Sequence, residues 1–468
     1  MRRTKIVATI GPASRDRGVL LELIRAGMDV ARLNFSHGSH EQHAETAEWI
    51  RDAAGRAGRP VAILQDLPGP KLRIGKLEHD LAELKPGDLV TFSCGVDGDQ
   101  LGNARNMTIS WAGLPEAIEA GEVLYLADGS VRLRATAIRA GEGEIDAEVE
   151  VGGAVASRQG VNVPGETAAL PAVPEEDIVH LQAGVRMGVD MVAVSFVRRP
   201  EDITGLREHT RAPLIAKFEK PQAVERAEEI IRVSDCIMVA RGDLGIELPI
   251  EQVPVVQKQL LAQAGAHARP AITATQMLDS MVTSSRPTRA EASDVANAIL
   301  DGTSAVMLSG ETAIGDYPVE AVQVMERIAL AVEPSLGYRH ELPQAEEEPT
   351  IGQAMSNAAC DIAEALAAKA ILVPTFTGRT ASAVARLRPR RPIIAITHHG
   401  DSIRHMALEW GVTPIEIPET DDVEDLWRRS VEAARRSGLV EPGDRVVITA
   451  GTAVNIPGST NVIKVDVA

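Results

Sequence analysis

The sequence predicts an α/β protein: a (β/α)8 TIM barrel with an inserted small all-β lid domain and a C-terminal α/β regulatory domain. Three observations carry that expectation. Eight short apolar runs alternate with amphipathic, Ala- and Glu-rich stretches; one gap in the series holds a long segment of a different pattern; and a charged, Pro-bounded linker precedes a further round of alternation. Strands alternating with helices imply a parallel sheet, and eight such units are the count for a closed barrel.

The eight runs are residues 5–11, 29–36, 61–67, 190–196, 214–219, 236–244, 271–276 and 305–311, with helical stretches such as 41–57, 222–233, 251–268 and 318–332 between them. From 71 to 162 the pattern turns to short alternating runs punctuated by Gly and Asp, which reads as a small β-barrel or sandwich. Pro68-Gly-Pro70 and Val163-Pro-Gly165 bracket it as stiff hinges, and an insert at the catalytic mouth of a barrel is well placed to be a lid. The expected boundaries are 1–69 and 166–340 for the barrel, 70–165 for the inserted β-barrel lid and 350–468 for the C-terminal domain. In the last, helices are expected at 350–367, 379–387, 402–410 and 423–437, and strands at 370–374, 392–397, 445–449 and 462–465.

Composition bounds the function. A chain of 468 residues with 44% apolar and 24% charged residues is that of a globular protein of two or three domains. A net charge of −18 argues against nucleic acid as the main partner, since phosphate backbones select basic surfaces. Cys94, Cys236 and Cys360 are too few and scattered for a disulfide framework. Met1-Arg2-Arg3 runs straight into a strand pattern and no apolar run is long enough to span a membrane, so the expected location is cytoplasmic, with no membrane partner.

Chemistry gathers where the strands end. The apolar run of Pro213-Leu-Ile-Ala-Lys-Phe-Glu-Lys-Pro221 breaks into Lys217 and Glu219; that of Cys236-Ile-Met-Val-Ala-Arg-Gly-Asp243 breaks into Arg241 and Asp243. Unpaired charge is not tolerated inside a barrel, so these groups belong at its mouth. Two carboxylates from neighbouring strand ends suit Mg2+, which takes few protein oxygens and leaves positions for substrate; a Lys and an Arg beside it suit a transferring phosphoryl group. For either segment alone, a surface salt bridge is the simpler account. Together with Arg32, Asn34, Ser36, Asp66, Ser195, Thr275, Gln276, Ser309 and Glu311 at the other strand ends, they favour one site. In the C-terminal domain, Thr375, Thr377, Gly378, Arg379, Thr380 and Ser382 follow a strand and open a helix, an arrangement that suits a phosphate and that an ordinary N-cap explains equally well.

The chain resembles pyruvate kinase over essentially its whole length. The matching stretches include Thr4-Lys-Ile-Val-Ala-Thr-Ile-Gly-Pro-Ala-Ser14, Ala31-Arg-Leu-Asn-Phe-Ser-His-Gly38, Gln65-Asp-Leu-Pro-Gly-Pro-Lys-Leu-Arg73, Val239-Ala-Arg-Gly-Asp-Leu-Gly-Ile-Glu247, Thr273-Ala-Thr-Gln-Met-Leu278 and Met307-Leu-Ser-Gly-Glu-Thr-Ala313. The resemblance implies transfer of phosphoryl from phosphoenolpyruvate to ADP, giving pyruvate and ATP, in a homotetramer regulated by a phosphorylated small molecule at the 375–382 loop. It implies Glu219 and Asp243 as ligands of Mg2+ or Mn2+. Lys217, Arg32 and Arg73 then lie on the phosphoryl group, and the Arg241-Gly242-Asp243 turn on the substrate carboxylate. Thr275, with a relay through Ser309, lies on the face where the enolate takes its proton, while Asn34, His37 and Arg73 lie towards the nucleotide. Ala127 and Gln159 stand where the family often has an acidic and a basic residue, which bears on ADP affinity and base preference.

In members of the family that need K+, the ion is held by the positions matching Asn34, Ser36, Asp66 and the main-chain carbonyl of Leu67, and the position of Lys71 is usually Glu. A lysine ammonium there supplies a compact positive charge internally, so the expectation is an enzyme of the K+-independent group. Two rivals remain at this stage. One is a carbon–carbon lyase sharing the metal carboxylates, which has no need of the lid or of Lys217 with both arginines. The other is a non-enzymatic sensor, which has no need of intact Lys217, Glu219, Asp243 and Thr275.

Overall fold

The structure is a computed structural model and describes residues 1–70, 72–96, 100–163, 171–337, 350–451 and 460–468. Eight parallel strands close into a barrel: β1 (Lys5–Thr9), β2 (Val30–Asn34), β3 (Ala62–Asp66), β4 (Met191–Val194), β5 (Leu214–Phe218), β6 (Cys236–Ala240), β7 (Ala271–Ala274) and β8 (Ala305–Leu308). Each pairs with its sequence neighbours, and β8 returns to β1 with Lys5 opposite Ala305. These strands are buried on both faces, which is why they read as unbroken apolar runs. Val7, Leu64, Met191, Ile215, Met238, Ile272 and Met307 fill the interior, while Ile6, Leu33, Ile63 and Leu308 pack outward against the helices.

Several strands stop earlier than the apolar pattern suggested. β6 ends at Ala240 and the helix Arg241–Glu247 starts at once; β8 ends at Leu308 and the helix Gly310–Ala313 follows after Ser309. The Arg-Gly-Asp string is therefore the first turn of a helix rather than a strand end.

The insert is a seven-stranded sheet in the order Leu72–Arg73, Gly160–Asn162, Val123–Leu126, Val131–Arg139, Glu144–Val151, Leu89–Cys94, Asn106–Ile109, with a two-stranded ribbon of Leu81–Leu84 and Gly153–Ala156 beside it. Its two edges meet through a single Ile74–Ile109 bridge, backed by Ser110 N donating to Arg73 O and Gly75 N to Thr108 O. The sheet thereby closes around its own core of Phe92, Ile109, Leu124, Leu133 and Val149.

The C-terminal sheet has the order β11 (Val412–Glu416), β10 (Ile393–Thr397), β9 (Ala370–Pro374), β12 (Arg445–Gly451), β13 (Thr460–Val467), all parallel except β13. β11 is absent from the sequence reading. It contains Pro414, which it tolerates because among the described residues it is an edge strand paired only with β10, where the missing N–H costs no ladder bond. Below the barrel, Ala407 and Leu408 join the interior cluster, and burial of a leucine there contributes about 1.5–3 kcal/mol. Lys5 Nζ donates to Val412 O and Arg404 Nε to Asp190 Oδ1 across the same junction.

Candidate active site

At the carboxyl ends of the barrel strands a chain of charge is buried. Arg32 ends β2 and donates through Nε to Asp66 Oδ2 at 2.6 Å, with Nη1 on Thr9 Oγ1 at 2.9 Å. Lys217, near the end of β5, has Nζ 3.2 Å from Asp66 Oδ1, 2.7 Å from Glu219 Oε1 and 2.7 Å from Ser195 Oγ. Ser195 in turn donates to Leu67 O at 2.7 Å. Glu219 Oε2 accepts Phe196 N at 2.8 Å, which fixes the carboxylate against the end of β4. Asp66, Lys217 and Glu219 are all buried.

Such a cluster is weak evidence for stability, because desolvating four charges offsets most of their attraction. Burial opposes the Lys217 charge, but Asp66, Glu219 and Asp243 outweigh it and hold the pKa above the ordinary lysine value. Burial likewise opposes the charge of Asp66, and Lys217 and Arg32 outweigh it and hold the pKa low. Both groups are locked in their charged forms, which is what an electrostatic clamp needs.

Strain sits at the same rim. Phe196, Thr275 and Gln276 have φ of 56°, 67° and 54°, a left-handed conformation that costs non-glycine residues about 1–3 kcal/mol each. In that conformation Thr275 Oγ1 accepts Gly242 N at 2.7 Å and donates to Ala274 O. The Arg241 side chain is committed elsewhere: Nη1 to Asp294 and Nη2 to Thr275 O, both at 2.8 Å. Asp243 lies on the same first turn, half-buried, and acts on Lys217 through its charge. Carboxylate oxygens are the donor set a hard divalent cation takes, and Glu219 with Asp243 supplies two of them. Among the described residues no cluster of three or more His, Cys, Asp or Glu is placed to hold a metal.

Asn34 Oδ1 accepts Ser36 N at 3.1 Å, and Phe35 N donates to Asp66 O. Asn34, Ser36, Asp66 and Leu67 are thus neighbours, with the Leu67 carbonyl already taken by Ser195. Lys71 lies outside the described residues. A cleft of about 510 Å³ separates barrel from insert, and His37, Arg73, Gln159, Arg198, Lys220 and Asp243 line it. Arg73 reaches it from the insert, with Nη1 on Arg158 O. Lys220 was not singled out from the sequence. It is buried, 2.5 Å from Glu247 Oε1 and over the Phe196 ring; the Lys217-Phe-Glu-Lys220 string was the available signal. Ser309 is not joined to Thr275: its amide donates to Glu311 Oε2, and its buried hydroxyl has no hydrogen-bond partner.

In the C-terminal domain Thr375, Thr377, Arg379 and Thr380 line a cavity of about 540 Å³, together with Phe376 and His398. Ser382 is a correction. One turn into the helix, it faces the opposite side and donates to Glu409 Oε1 at 2.5 Å. Gly378 shapes the loop through a φ of 89°, its amide on Thr375 Oγ1.

Residues 1–322 match the family described as pyruvate kinase, barrel domain, and residues 353–466 match pyruvate kinase, alpha/beta domain. The chain is 46% identical to a pyruvate kinase of Geobacillus stearothermophilus over all of its own length and 80% of that protein. It is 44% identical to one of Methylorubrum extorquens, covering 99% of this chain and 97% of the other. The crystal structure of a pyruvate kinase from Cryptosporidium parvum superposes with a TM-score of 0.92 at 34% identity, covering 100% of this chain and 96% of that one.

Proposed function

The chain belongs to the pyruvate kinase family, and on that premise we propose that Lys217, Arg32 and Arg73 hold the phosphoryl group in transit. The enzyme is a phosphotransferase: phosphoenolpyruvate and ADP become pyruvate and ATP. The observation that carries the residue assignment is the Lys217 ammonium, buried at the barrel mouth between Asp66 and Glu219. Phosphoryl transfer spreads charge over the equatorial oxygens of the moving group, and fixed cations facing it lower the barrier.

Glu219 and Asp243 would hold Mg2+ or Mn2+, which would supply charge neutralisation for the substrate. Phe196 N and Lys217 orient the Glu219 carboxylate beforehand. The Arg241-Gly242 turn carries the substrate carboxylate, with the Arg241 guanidinium as a structural tie to Asp294. Thr275 faces the enolate carbon; a hydroxyl is too weak an acid to be the ultimate source, so the proton arrives through it from water, and Ser309, which does not touch Thr275, is left out of the relay. His37 and Arg73, which line the cleft under the insert, face the nucleotide together with Asn34, and the insert closes over it. That closure excludes water, which would otherwise compete with ADP for the phosphoryl group.

Three finer points belong to the same reading. Lys71 supplies the charge that K+ supplies in family members holding the ion at the positions of Asn34, Ser36, Asp66 and Leu67. The cavity of Thr375, Thr377, Arg379 and Thr380 takes the phosphate of a small effector, acting through a homotetramer. The enzyme works in the cytoplasm; among the described residues no helix is long and apolar enough to cross a membrane. A coupled assay for pyruvate from phosphoenolpyruvate plus ADP, with and without Mg2+, tests the core of it. Absence of metal-dependent pyruvate formation overturns the assignment.

A further inference from the structure

One acid sits at the centre of the junction between the C-terminal sheet and the barrel base, remote from the Lys217 cluster. Glu409 follows the Met406–Leu408 turn that plugs the barrel interior with Ala407 and Leu408. Its side chain is buried and accepts the Ser382 hydroxyl at 2.5 Å. Ser382 belongs to the helix Arg379–Ala385, which opens directly from the loop lining the C-terminal cavity. That loop touches the plug a second time: a Cβ on Gly378 would stand 2.9 Å from Met406 Cγ. The loop and the helix it opens are therefore joined to the barrel base through Met406 and Glu409, at the two ends of one short turn.

Charge surrounds the acid from every side. The barrel presents Lys5 and Arg269, with Asp235 and Cys236 beside them; the C-terminal domain presents Arg388; and His405 lies on the segment of Glu409 itself. Arg388 also clasps the barrel, donating to Gly302 O at 2.5 Å and Thr303 O at 3.2 Å with its guanidinium over the Trp410 ring. A cavity of about 190 Å³ runs along the junction past Arg269, Ser382, His405 and Glu409.

We propose that buried Glu409, where it holds Ser382, is a proton-controlled latch: ionisation of Glu409 loosens the C-terminal sheet from the barrel base and frees the 375–380 loop to move.

The direction follows from linkage. Burial pushes the Glu409 carboxyl up to about 7, against the pull of Ser382, Arg388, Arg269 and Lys5. A carboxyl that binds its proton more tightly when docked than in water stabilises docking fully below the ordinary carboxylate range. That stabilisation is lost as pH rises from there through about 7. The hydrogen bond from Ser382 persists in either state; what changes is the cost of keeping a charge in the junction. By reciprocity, any ligand that moves the loop also changes the proton affinity of Glu409.

Hydrogen exchange on the full-length chain tests this, read in peptides covering 300–305 and 404–412 between pH 6 and 8 and corrected for the intrinsic rate at each pH. Protection in the parent is expected to fall by about tenfold across that range, the limit for one proton with a midpoint near 7, and to stay level in Glu409→Gln. Equal pH dependence in the two chains overturns the latch. Should Glu409→Gln fail to fold, infrared spectroscopy of the parent decides: a protonated-carboxyl band that survives above pH 6 and shifts in Ser382→Ala supports it. If no such band responds to that substitution, the latch is refuted.

Discussion

Lys217 Nζ stands 2.7 Å from Glu219 Oε1 and 3.2 Å from Asp66 Oδ1, so a single ammonium joins the ends of two strands that are not adjacent in the barrel. That relationship ties the proposed phosphoryl clamp to the proposed metal carboxylate, and the predictions start from it.

Lys217→Met is expected to cut kcat for phosphoryl transfer by about 10²–10³-fold or more, the cost of losing one preorganised transition-state contact. Proton exchange of bound pyruvate does not involve the phosphoryl group and should survive. Steady-state kinetics and deuterium uptake into pyruvate read the two separately; loss of both together would indicate a folding role.

Asp66 should mark the acid limb of stability. Burial raises its pKa, but Lys217 and Arg32 outweigh burial and hold it below the ordinary carboxylate value. Its stabilisation is therefore present above the unfolded pKa of about 3.9 and is lost as pH falls through the lower folded value. Urea midpoints measured from pH 6 down to pH 3 should fall more steeply in the parent than in Asp66→Asn. Parallel curves would remove Asp66 from the account.

Glu219→Gln keeps the side chain's shape and removes its charge. Activity should then require at least about tenfold more Mg2+, since Mg2+ is held by few protein carboxylates and each counts, while chelation abolishes activity in the parent. An unchanged Mg2+ saturation curve would reassign the metal site.

Lys71 predicts full activity without K+ in a tetramethylammonium buffer of matched ionic strength. Activation by K+ of about tenfold or more beyond that control would refute the internal cation. Lys71→Glu reverses the charge by two units and should introduce K+ dependence.

For the C-terminal cavity, phosphorylated sugars and nucleotide monophosphates are screened for a leftward shift of the phosphoenolpyruvate saturation curve. Thr380→Ala is expected to weaken binding of the active compound. Ser382→Ala should change that binding less than Thr380→Ala and only through the loop's tie to the barrel base, because its hydroxyl is on Glu409 and not in the cavity. Equal loss in both variants would place the ligand on the other side of the helix.

Much of this was legible in the chain itself. The eight apolar runs announced the barrel because strands buried on both faces leave no room for polar alternation, and the polar residues Arg32, Asp66 and Lys217 marked the charged rim at its mouth, with Asp243 just beyond a strand end. The insert announced itself by its change of period.

What local pattern lacked was partnership. Nothing in the one-dimensional string says that Ser195 joins Lys217 to the Leu67 carbonyl, or that the Arg241 side chain is spent on Asp294. Nor does it say that Ser382 and Glu409, 27 residues apart, share a hydrogen bond. β11 stayed hidden because only a sheet's order reveals which strand is an edge that tolerates Pro414. Residue type and periodicity are set by each segment's own burial, so sequence alone determined the elements and the chemical inventory of the site. Which charges meet, which hydroxyls are already taken and which face of a helix looks into a cavity depend on contacts between distant segments, and only the tertiary structure decided those.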